Sequence, residues 1–487
     1  MARLIHRSIG VGQTARLSTR FGIHPSGRSS VAVVAAMSQS HASEKDVIVI
    51  GNGPIGSAVA RHVAEDGYSV LVVDGGNRLT SASDDMGRIV RPLDAEGRER
   101  WTRWNVESIE AFGDIETRSG VDFFQRCGSL ACGTGAFVER PARLLEQNGV
   151  PHARLESGAD VTRRFPFLSV PATHVGVVDD VGGFVDPGAM IRAQNALTVE
   201  SGRGDVRAGV VTRVEVVGGV EAGGGVEAGG GVEAGGVETG SPRRVRVTTE
   251  EGDAFVGSAA VVTGGAYTAW LVRSSGLSRD EAKPGRTMTT PRASPDASSG
   301  VARVRVSRRT VLLAEVTEAT AKGPLGAMPT VKYQFAPAPR DDGGSSQSRN
   351  EAMSVYVLPP IWYPDGVLGL EPGWYVKIGG GANDFFDEDR ADDAVADLDE
   401  WMRSDGDDSV ADRLHDVLVA LMPDTNFLSV QSKACVTTCS DDGELQCEAL
   451  GDGGVVLAVT GCQGKAAGPA DAIGRAVASE VAARLGA

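Results

Sequence analysis

The feature that most constrains the fold of this 487-residue chain is a glycine-rich unit at 46–74. An apolar segment at 46–51 leads through the sequence GNGPIG into a helical stretch at 54–66. A second apolar segment, 69–74, follows and ends in an acid. Two apolar runs separated by a helix predict a βαβ unit, in which two parallel strands flank the helix.

The residue types inside this unit favour a dinucleotide site. A helix N-terminus has free N–H groups and a partial positive charge, so it attracts pyrophosphate. We predict that Gly51 permits the tight turn, Gly53 the approach of phosphate, and Gly56 the packing of helix on sheet. Asp74, about 20 residues after the glycines, can accept ribose hydroxyls and would repel a 2′-phosphate, which disfavours NADP. The spacing does not separate FAD from NAD.

Charge and composition exclude several other classes. A net charge of −16 and a pI near 5.0 disfavour nucleic-acid binding, because the chain repels phosphate backbones. The sequence contains no apolar run approaching the roughly 18 residues of a membrane span. Its six cysteines form no C-x-x-C pair, so reduced thiols are expected rather than disulfides or a structural zinc site.

The N-terminal segment, 1–44, has the composition of a targeting sequence. Its first 43 residues contain several arginines and many small or hydroxylated residues but no acid. This pattern is typical of a mitochondrial or plastid transit peptide, and the alternative is a disordered tail. We therefore expect an organellar protein, and a cytoplasmic one if the segment is only a tail.

Low-complexity segments interrupt the chain in three places. Alternating strands are predicted at 205–217 and 243–249, and the Gly-rich repeat at 218–240 between them reads as an expanded hairpin loop. Segments rich in Ser, Asp, Gly and Pro at 275–300 and 338–352 are expected to be surface insertions.

The remaining segments predict further organised elements. A helix is expected at about 95–113, a strand pair within 123–133, and a strand that turns helical at 254–272. Near the C-terminus, a strand at 454–461 meets a glycine-rich turn and an Ala-rich helix. Because strand, glycine turn and helix occur at both ends of the chain, the terminal unit is expected to complete the dinucleotide site.

Longer motifs resemble those of FAD-dependent amine and amino-acid oxidases, the D-amino-acid oxidase superfamily, and in particular the branch that includes monomeric sarcosine oxidase and N-methyltryptophan oxidase. The resemblance covers 46–487, with its motifs in the family's order. Besides the glycine-rich unit, the matching segments are 84–101, 182–193, 259–272, 374–381, 433–445 and 461–474.

The resemblance implies an α/β fold, α+β overall. It would comprise a Rossmann-like FAD-binding domain and a second, mainly antiparallel-sheet substrate domain. The FAD-binding domain is assigned to 45–125, 190–275 and 430–487. The substrate domain is assigned to 126–189 and 276–429.

The resemblance also implies roles for individual residues of this chain. Arg88 would lie beside the isoalloxazine, and Arg91, three residues later, would bind a substrate carboxylate. Lys377 would lie near flavin N5, where oxygen reacts. Cys435 matches the cysteine that tethers FAD covalently. The full set of implied cofactor-binding residues is Gly51, Gly53, Gly56, Asp74, Arg88, Val214, Cys435, Gly461 and Gly464.

The substrate pocket departs from the family pattern in its last loop. The family has a histidine and, three residues on, a lysine, whereas this chain has Lys465 and Gly468 at those positions. Lys465 could still meet an anion or the flavin. Tyr356, Trp362 and Tyr363 precede Lys377 and could line the pocket or belong to the core.

The activity implied is oxidation of the C–N bond of an amino acid or secondary amine. Hydride would pass to flavin N5, water would hydrolyse the imine, and O2 would be reduced to H2O2. The alternatives are a dehydrogenase of the same fold that reduces a quinone or an electron-transfer flavoprotein, and a non-catalytic flavin-binding assembly factor. An NAD-dependent reductase is disfavoured, because the sequence contains only one complete G-x-G-x-x-G preceded by a predicted strand.

Overall fold

The computed structural model describes residues 44–76, 81–218, 242–278, 301–335, 353–387 and 394–486. Apart from a few end residues, the expected transit peptide, the Gly-rich loop and both surface insertions lie outside these ranges. Within them, no helix is long and apolar enough to cross a membrane.

The described residues form twenty strands and ten α-helices. The strands are β1 Lys45–Ile50, β2 Val70–Asp74, β3 Arg88–Val90, β4 Phe124–Arg126, β5 Ser129–Gly133, β6 His152–Leu155, β7 Val175–Asp179, β8 Gly183–Val185, β9 Gly204–Ala208, β10 Val211–Val217, β11 Arg244–Thr249, β12 Ala254–Val262, β13 Arg305–Val316, β14 Thr330–Phe335, β15 Met353–Tyr363, β16 Gly373–Gly380, β17 Asp384–Phe385, β18 Val430–Cys439, β19 Gln446–Leu450 and β20 Val456–Thr460. The helices are α1 Pro54–Glu65, α2 Glu99–Ser119, α3 Gly135–Gln147, α4 Gly158–Arg164, α5 Pro187–Glu200, α6 Thr268–Ser274, α7 Glu318–Lys322, α8 Ala394–Met402, α9 Asp408–Leu421 and α10 Ala470–Leu485.

The predicted βαβ unit forms the centre of an eight-stranded sheet. Its strand order is β10-β11-β12-β1-β2-β9, and β20 extends it beside β12 and pairs with β19. Strand β1 is parallel to both β2 and β12, and its apolar residues are buried on both faces. Val47 and Val49 pack with α1, α5 and α10, whereas Ile48 and Ile50 face the β10–β11 hairpin and α6.

A nine-stranded, mainly antiparallel sheet forms the second layer. Its order is β17-β13-β16-β15-β14-β5-β7-β6, with β18 also paired to β13; β14 and β5 are parallel. Alternation along the strands gives the sheet two faces. One face, including Leu312, Val357 and Ile378, packs against Leu414 and Leu418 of α9 in a hydrophobic core. The opposite face is polar at several positions and contributes to the site described below.

The predicted fold class is confirmed, but two local predictions differ from the structure. Strand β18, assigned to the FAD-binding domain, is hydrogen-bonded along its ten residues to β13 of the nine-stranded sheet. The expected strand pair within 123–133 forms two strands in different sheets, since β4 pairs with β8 and β5 with β7 and β14. In both cases a partner distant in sequence determines the pairing.

Candidate active site

A cavity of about 710 Å³ is lined by both sheets. The eight-stranded sheet contributes the β1–α1 turn, the end of β2 and the segment after β12. The nine-stranded sheet contributes its polar face, and the loop 461–467 closes part of the wall. The glycine-rich motifs from both ends of the chain therefore line one cavity.

The three glycines of the first motif have different surroundings. Gly51 has φ +96°, and a Cβ there would lie 2.7 Å from the carbonyl oxygen of Thr263 on the neighbouring chain segment. A Cβ at Gly56 would lie 2.0 Å from the carbonyl oxygen of Gly51, so only glycine allows the helix to begin this close to the strand. At Gly53 a Cβ would meet nothing within 4 Å, which leaves open space at the N-terminus of α1.

Asp74 is fixed by the backbone at the end of β2. Its carboxylate accepts hydrogen bonds from the N–H groups of Asn52 and Gly76, each at 2.7 Å, and the residue lines the cavity. The Oδ1 atom of Asn52 is buried and makes no hydrogen bond with any described residue. No side chain caps α1 at Gly53. Free N–H groups, an unused acceptor and a carboxylate thus meet where a dinucleotide's adenosine and pyrophosphate would fit.

The polar face of the nine-stranded sheet follows from its register. Tyr356 lies opposite Lys332 on one side and Gly379 on the other, and Gly379 is two residues from Lys377. Cross-strand neighbours and residues two apart share a face, so these side chains point the same way. A Cβ at Gly379 would lie 2.6 Å from the Tyr356 hydroxyl. A glycine at this position therefore leaves room for the Tyr356 ring. The side chains of this sheet that line the cavity include Arg309, Lys332, Tyr356, Lys377 and Cys435.

Asp85 is a central residue of the site that the sequence interpretation missed. Its carboxylate accepts hydrogen bonds from Lys377 Nζ, from Arg88 Nη1 and, at 2.7 Å, from the hydroxyl of Tyr363. Lys377 Nζ also lies 3.3 Å from the carbonyl oxygen of Gly87. The side chains of Asp85 and Lys377 are only 4% and 1% exposed. Lys377 is therefore held as one partner of a buried ion pair rather than as an isolated strand-end lysine.

Burial and charge act on this ion pair in opposite directions. Burial alone would raise the pKa of Asp85, but the charges of Lys377 and Arg88 hold it well below the usual range. Burial, together with the neighbouring Arg88 charge, lowers the pKa of Lys377, and Asp85 opposes this effect. Burial also raises the pKa of the Tyr363 hydroxyl, which stays a hydrogen-bond donor.

The two predicted arginines have different environments. Arg88, on β3, donates to the carbonyl oxygens of Gly87 and Ala82 as well as to Asp85, so its guanidinium is fixed at the cavity wall. Arg91 follows β3 and also lines the cavity, but its Nη1 is buried without a hydrogen-bond partner among the described residues. Burial lowers the pKa of Arg91 from its ordinary value.

Lys465 is paired within the protein. Its ammonium forms ion pairs with Asp94 and Glu96 on the segment after β3, and it lies 5.3 Å from the centre of the Trp101 ring. Burial raises the pKa of Asp94, against the lowering effect of Lys465. Lys465 lines the cavity, but two carboxylates already pair with its charge.

Cys435 and the C-terminal glycine loop lie together at the cavity. The loop is attached to β18 because the N–H groups of Gln463 and Cys462 donate to Thr438, at 2.8 Å to its carbonyl and 3.0 Å to its hydroxyl. Cys435 and Gly464 line the cavity, and Gly461, with φ +76°, follows β20 immediately. All six cysteines are free thiols.

Three residues considered in the sequence analysis do not line the cavity: Val214, Trp362 and Tyr363. Val214 is fully buried in a hydrophobic cluster behind the eight-stranded sheet, and Val210 and Val211 contribute to the cavity wall instead. Of the three candidate aromatic residues, Tyr356 lines the cavity, whereas Trp362 is 46% exposed and Tyr363 is buried behind Asp85. The described residues contain no cluster of His, Cys, Asp and Glu that could hold a metal ion.

Comparison with known proteins identifies the family. The DAO family, described as FAD dependent oxidoreductase, matches residues 46–480. The chain belongs to this family. An N-methyl-L-tryptophan oxidase from Yersinia pestis is 25% identical over 174 residues, which are 35% of this chain and 46% of the relative. The match thus spans about half the length of that curated relative.

Solved structures of two amino-acid oxidases are similar in fold. NikD, described as an unusual amino acid oxidase essential for nikkomycin biosynthesis, superposes with a TM-score of 0.61 at 19% identity, covering 90% of this chain and 94% of that one. Glycine oxidase from Geobacillus kaustophilus gives a TM-score of 0.59 at 15% identity, covering 90% and 95%. These similarities confirm the fold. The family match shows that the chain is an FAD-dependent oxidoreductase, with FAD as the family's cofactor.

The cavity of this FAD-dependent oxidoreductase fits its cofactor at both ends. The open N-terminus of α1, with Asn52 and Asp74, would hold the adenosine and pyrophosphate half. The region between Arg88, Cys435 and Gly464 would hold the flavin half. The cysteine thiol lines the same cavity as the glycine loop, so a covalent tether through Cys435 is compatible with the arrangement.

Proposed function

We propose that this protein oxidises the C–N bond of an amino acid or a secondary amine that bears a carboxylate. The observation that carries the proposal is the unpartnered, buried Nη1 of Arg91 in the cavity that also contains Lys377. A buried guanidinium remains charged and is stabilised by an anion, and carboxylates bind it with two parallel hydrogen bonds.

Each cavity residue would have a distinct role in this reaction. Bound FAD would supply the electron-accepting chemistry of the reaction. Arg91 would bind the substrate carboxylate and thereby fix the orientation of the amine. The Tyr356 ring would shape the wall against which the substrate packs. Lys377 would present a fixed positive charge to the redox centre, and Asp85 would hold that charge in place.

We propose O2 as the electron acceptor, with H2O2 and an imine that hydrolyses in water as products. One observation favours the rival, a dehydrogenase that reduces a quinone or an electron-transfer flavoprotein. Lys377 is paired with Asp85, and this pairing weakens the positive charge that would favour reaction with oxygen. Reoxidation of the reduced protein by air and by a quinone, each followed by the return of flavin absorbance, separates the two.

The test of the amine-oxidising function is an anaerobic screen of N-methyl amino acids, cyclic imino acids and D-amino acids. We expect at least one compound to bleach the flavin absorbance. The Arg91→Met variant should raise KM for that compound at least 10-fold, as expected for a lost charge-assisted contact. Arg103→Met, which removes an exposed arginine on α2, is the matched control. A loaded flavoprotein that no amine reduces would favour the assembly-factor alternative.

A further inference from the structure

Lys332 is a cation of the cavity to which the proposed reaction assigns no role. It lies on β14 opposite Tyr356, and the register therefore directs it to the polar face of the nine-stranded sheet. It lines the cavity together with Arg91 and is only partly exposed. Within the described residues it makes neither a hydrogen bond nor an ion pair, although its charge interacts with those of Arg91 and Glu96.

The acids near Lys332 and Arg91 already form ion pairs. Both Asp94 and Glu96 are bound by Lys465. Asp179 also acts on Arg91, but it does not line the cavity. Among the side chains that line this end of the cavity, one acid, Glu96, faces the cations Lys465, Arg91 and Lys332. Arg309, the next cation on the polar face, donates to the carbonyl oxygens of Gly381 and Ala382. These acceptors are uncharged, so they do not neutralise its positive charge. An excess of positive charge in a partly dehydrated cavity is stabilised when an anionic ligand enters.

We propose that Lys332 binds a second anionic group of the substrate, so that the substrate is a dicarboxylic amino or imino acid. One carboxylate binds Arg91, and the carboxylate at the other end binds Lys332. A single ammonium group suits one carboxylate, whereas the neighbouring Asp94 and Glu96 would repel the greater charge of a phosphate. This inference rests on the proposed function for the role of the first carboxylate.

Binding of a non-reactive diacid tests the proposal directly. The FAD-loaded protein is titrated with glutarate and with its monoamide, glutaramate, by calorimetry. We expect glutarate to bind roughly 10- to 100-fold more tightly, the range for one charge-assisted contact. In Lys332→Met this ratio should fall to about one, whereas Lys332→Arg should retain most of it. Lys322→Met, at an exposed lysine paired with Glu318, is the matched control and should keep the wild-type ratio.

Catalysis supplies a second, independent measurement. N-Methylglutamate should reduce the flavin with a higher kcat/KM than N-methylglutamine, and Lys332→Met should abolish this preference. Equal binding of glutarate and glutaramate to the wild-type protein, or an equal loss of both in Lys332→Met, overturns the role of Lys332. Flavin that no amine reduces, combined with Lys332-dependent binding of glutarate, overturns the proposed function but leaves the second anion site standing.

Discussion

Removal of the Asp85 carboxylate is predicted to destabilise the protein severely. The substitution Asp85→Ala deletes the acceptor shared by Lys377, Arg88 and Tyr363. Arg88 retains two carbonyl acceptors, but Lys377 retains only the 3.3 Å contact with Gly87. Since the Lys377 side chain is only 1% exposed, solvent compensates little for the lost partner.

The magnitude follows from the burial of the pair. Breaking a buried ion pair by removing one partner costs about 3–5 kcal/mol, because the other charge remains buried and uncompensated. We therefore expect Asp85→Ala to lower the free energy of unfolding by about 4 kcal/mol. The double variant Asp85→Ala/Lys377→Met also removes the orphaned charge, so it should be more stable than Asp85→Ala. The coupling energy between the two positions should fall at the upper end of the roughly 0.5–3 kcal/mol range for contacting residues.

The assay is urea denaturation of the FAD-saturated protein at pH 7, followed by tryptophan fluorescence. Asp205→Ala is the matched control: its salt bridge with Lys45 is at the surface, and its loss should cost less than about 1 kcal/mol. Lys377 and Arg88 keep the pKa of Asp85 below its unfolded value of about 3.9. The contribution of Asp85 is thus complete above about pH 4 and declines as the pH falls further. The reasoning is refuted if Asp85→Ala costs no more than the surface control, or if the double variant is no more stable.

Three further predictions concern the flavin and the cavity charges. If Cys435 tethers FAD, acid-denatured protein stays yellow and its band fluoresces on a denaturing gel. Acid-denatured Cys435→Ser should release all its FAD, and a colourless wild-type precipitate would contradict the tether. If oxygen is the acceptor, Lys377→Met should slow reoxidation of the flavin by O2 far more than its reduction by substrate, both measured by stopped-flow absorbance; equal slowing would argue against a specific role in oxygen reactivity. Burial, reinforced by the Arg91 charge, lowers the pKa of Lys332 to about 8. Glutarate binding should therefore be strongest below pH 8 and weaken as the pH rises through it, and calorimetry should find no such step for Lys332→Met. The charged groups that act on Lys332 are Arg91, Glu96, Lys465 and Arg309.

The sequence predicts the βαβ unit because its signals are local. The two apolar strands, the helix and the three glycines lie within about 30 residues, and each glycine meets a steric or spatial requirement of that same unit. The pairing of β18 with β13 is different, since the partner strand lies more than a hundred residues earlier in the chain. Nothing in the composition of Val430–Cys439 specifies to which of two sheets it belongs.

Asp85 illustrates why part of the site could not be found from the sequence. It occupies the segment 84–101 that the resemblance singled out, three residues before Arg88, and this spacing was a usable signal for an ion pair. The residue that makes it central is Lys377, 292 positions away, and only the folded chain shows that both are buried. The role that the resemblance implies for Val214 stays a prediction, because alternation gives a strand two faces but does not indicate which face meets the cofactor.

The altered C-terminal loop gives the cavity its particular charge pattern. The resembled family has a lysine at the position of Gly468, but a Cβ here would lie 2.4 Å from Oδ1 of Asn105 on α2, so a larger side chain does not fit without displacing that amide. The preceding cation, Lys465, is bound by carboxylates. This loop therefore offers no unpaired cation among its described residues. Lys332, on β14, supplies a positive charge in the same cavity. If Lys332 binds the second anion as proposed, anion recognition in this chain lies on the sheet rather than on the loop.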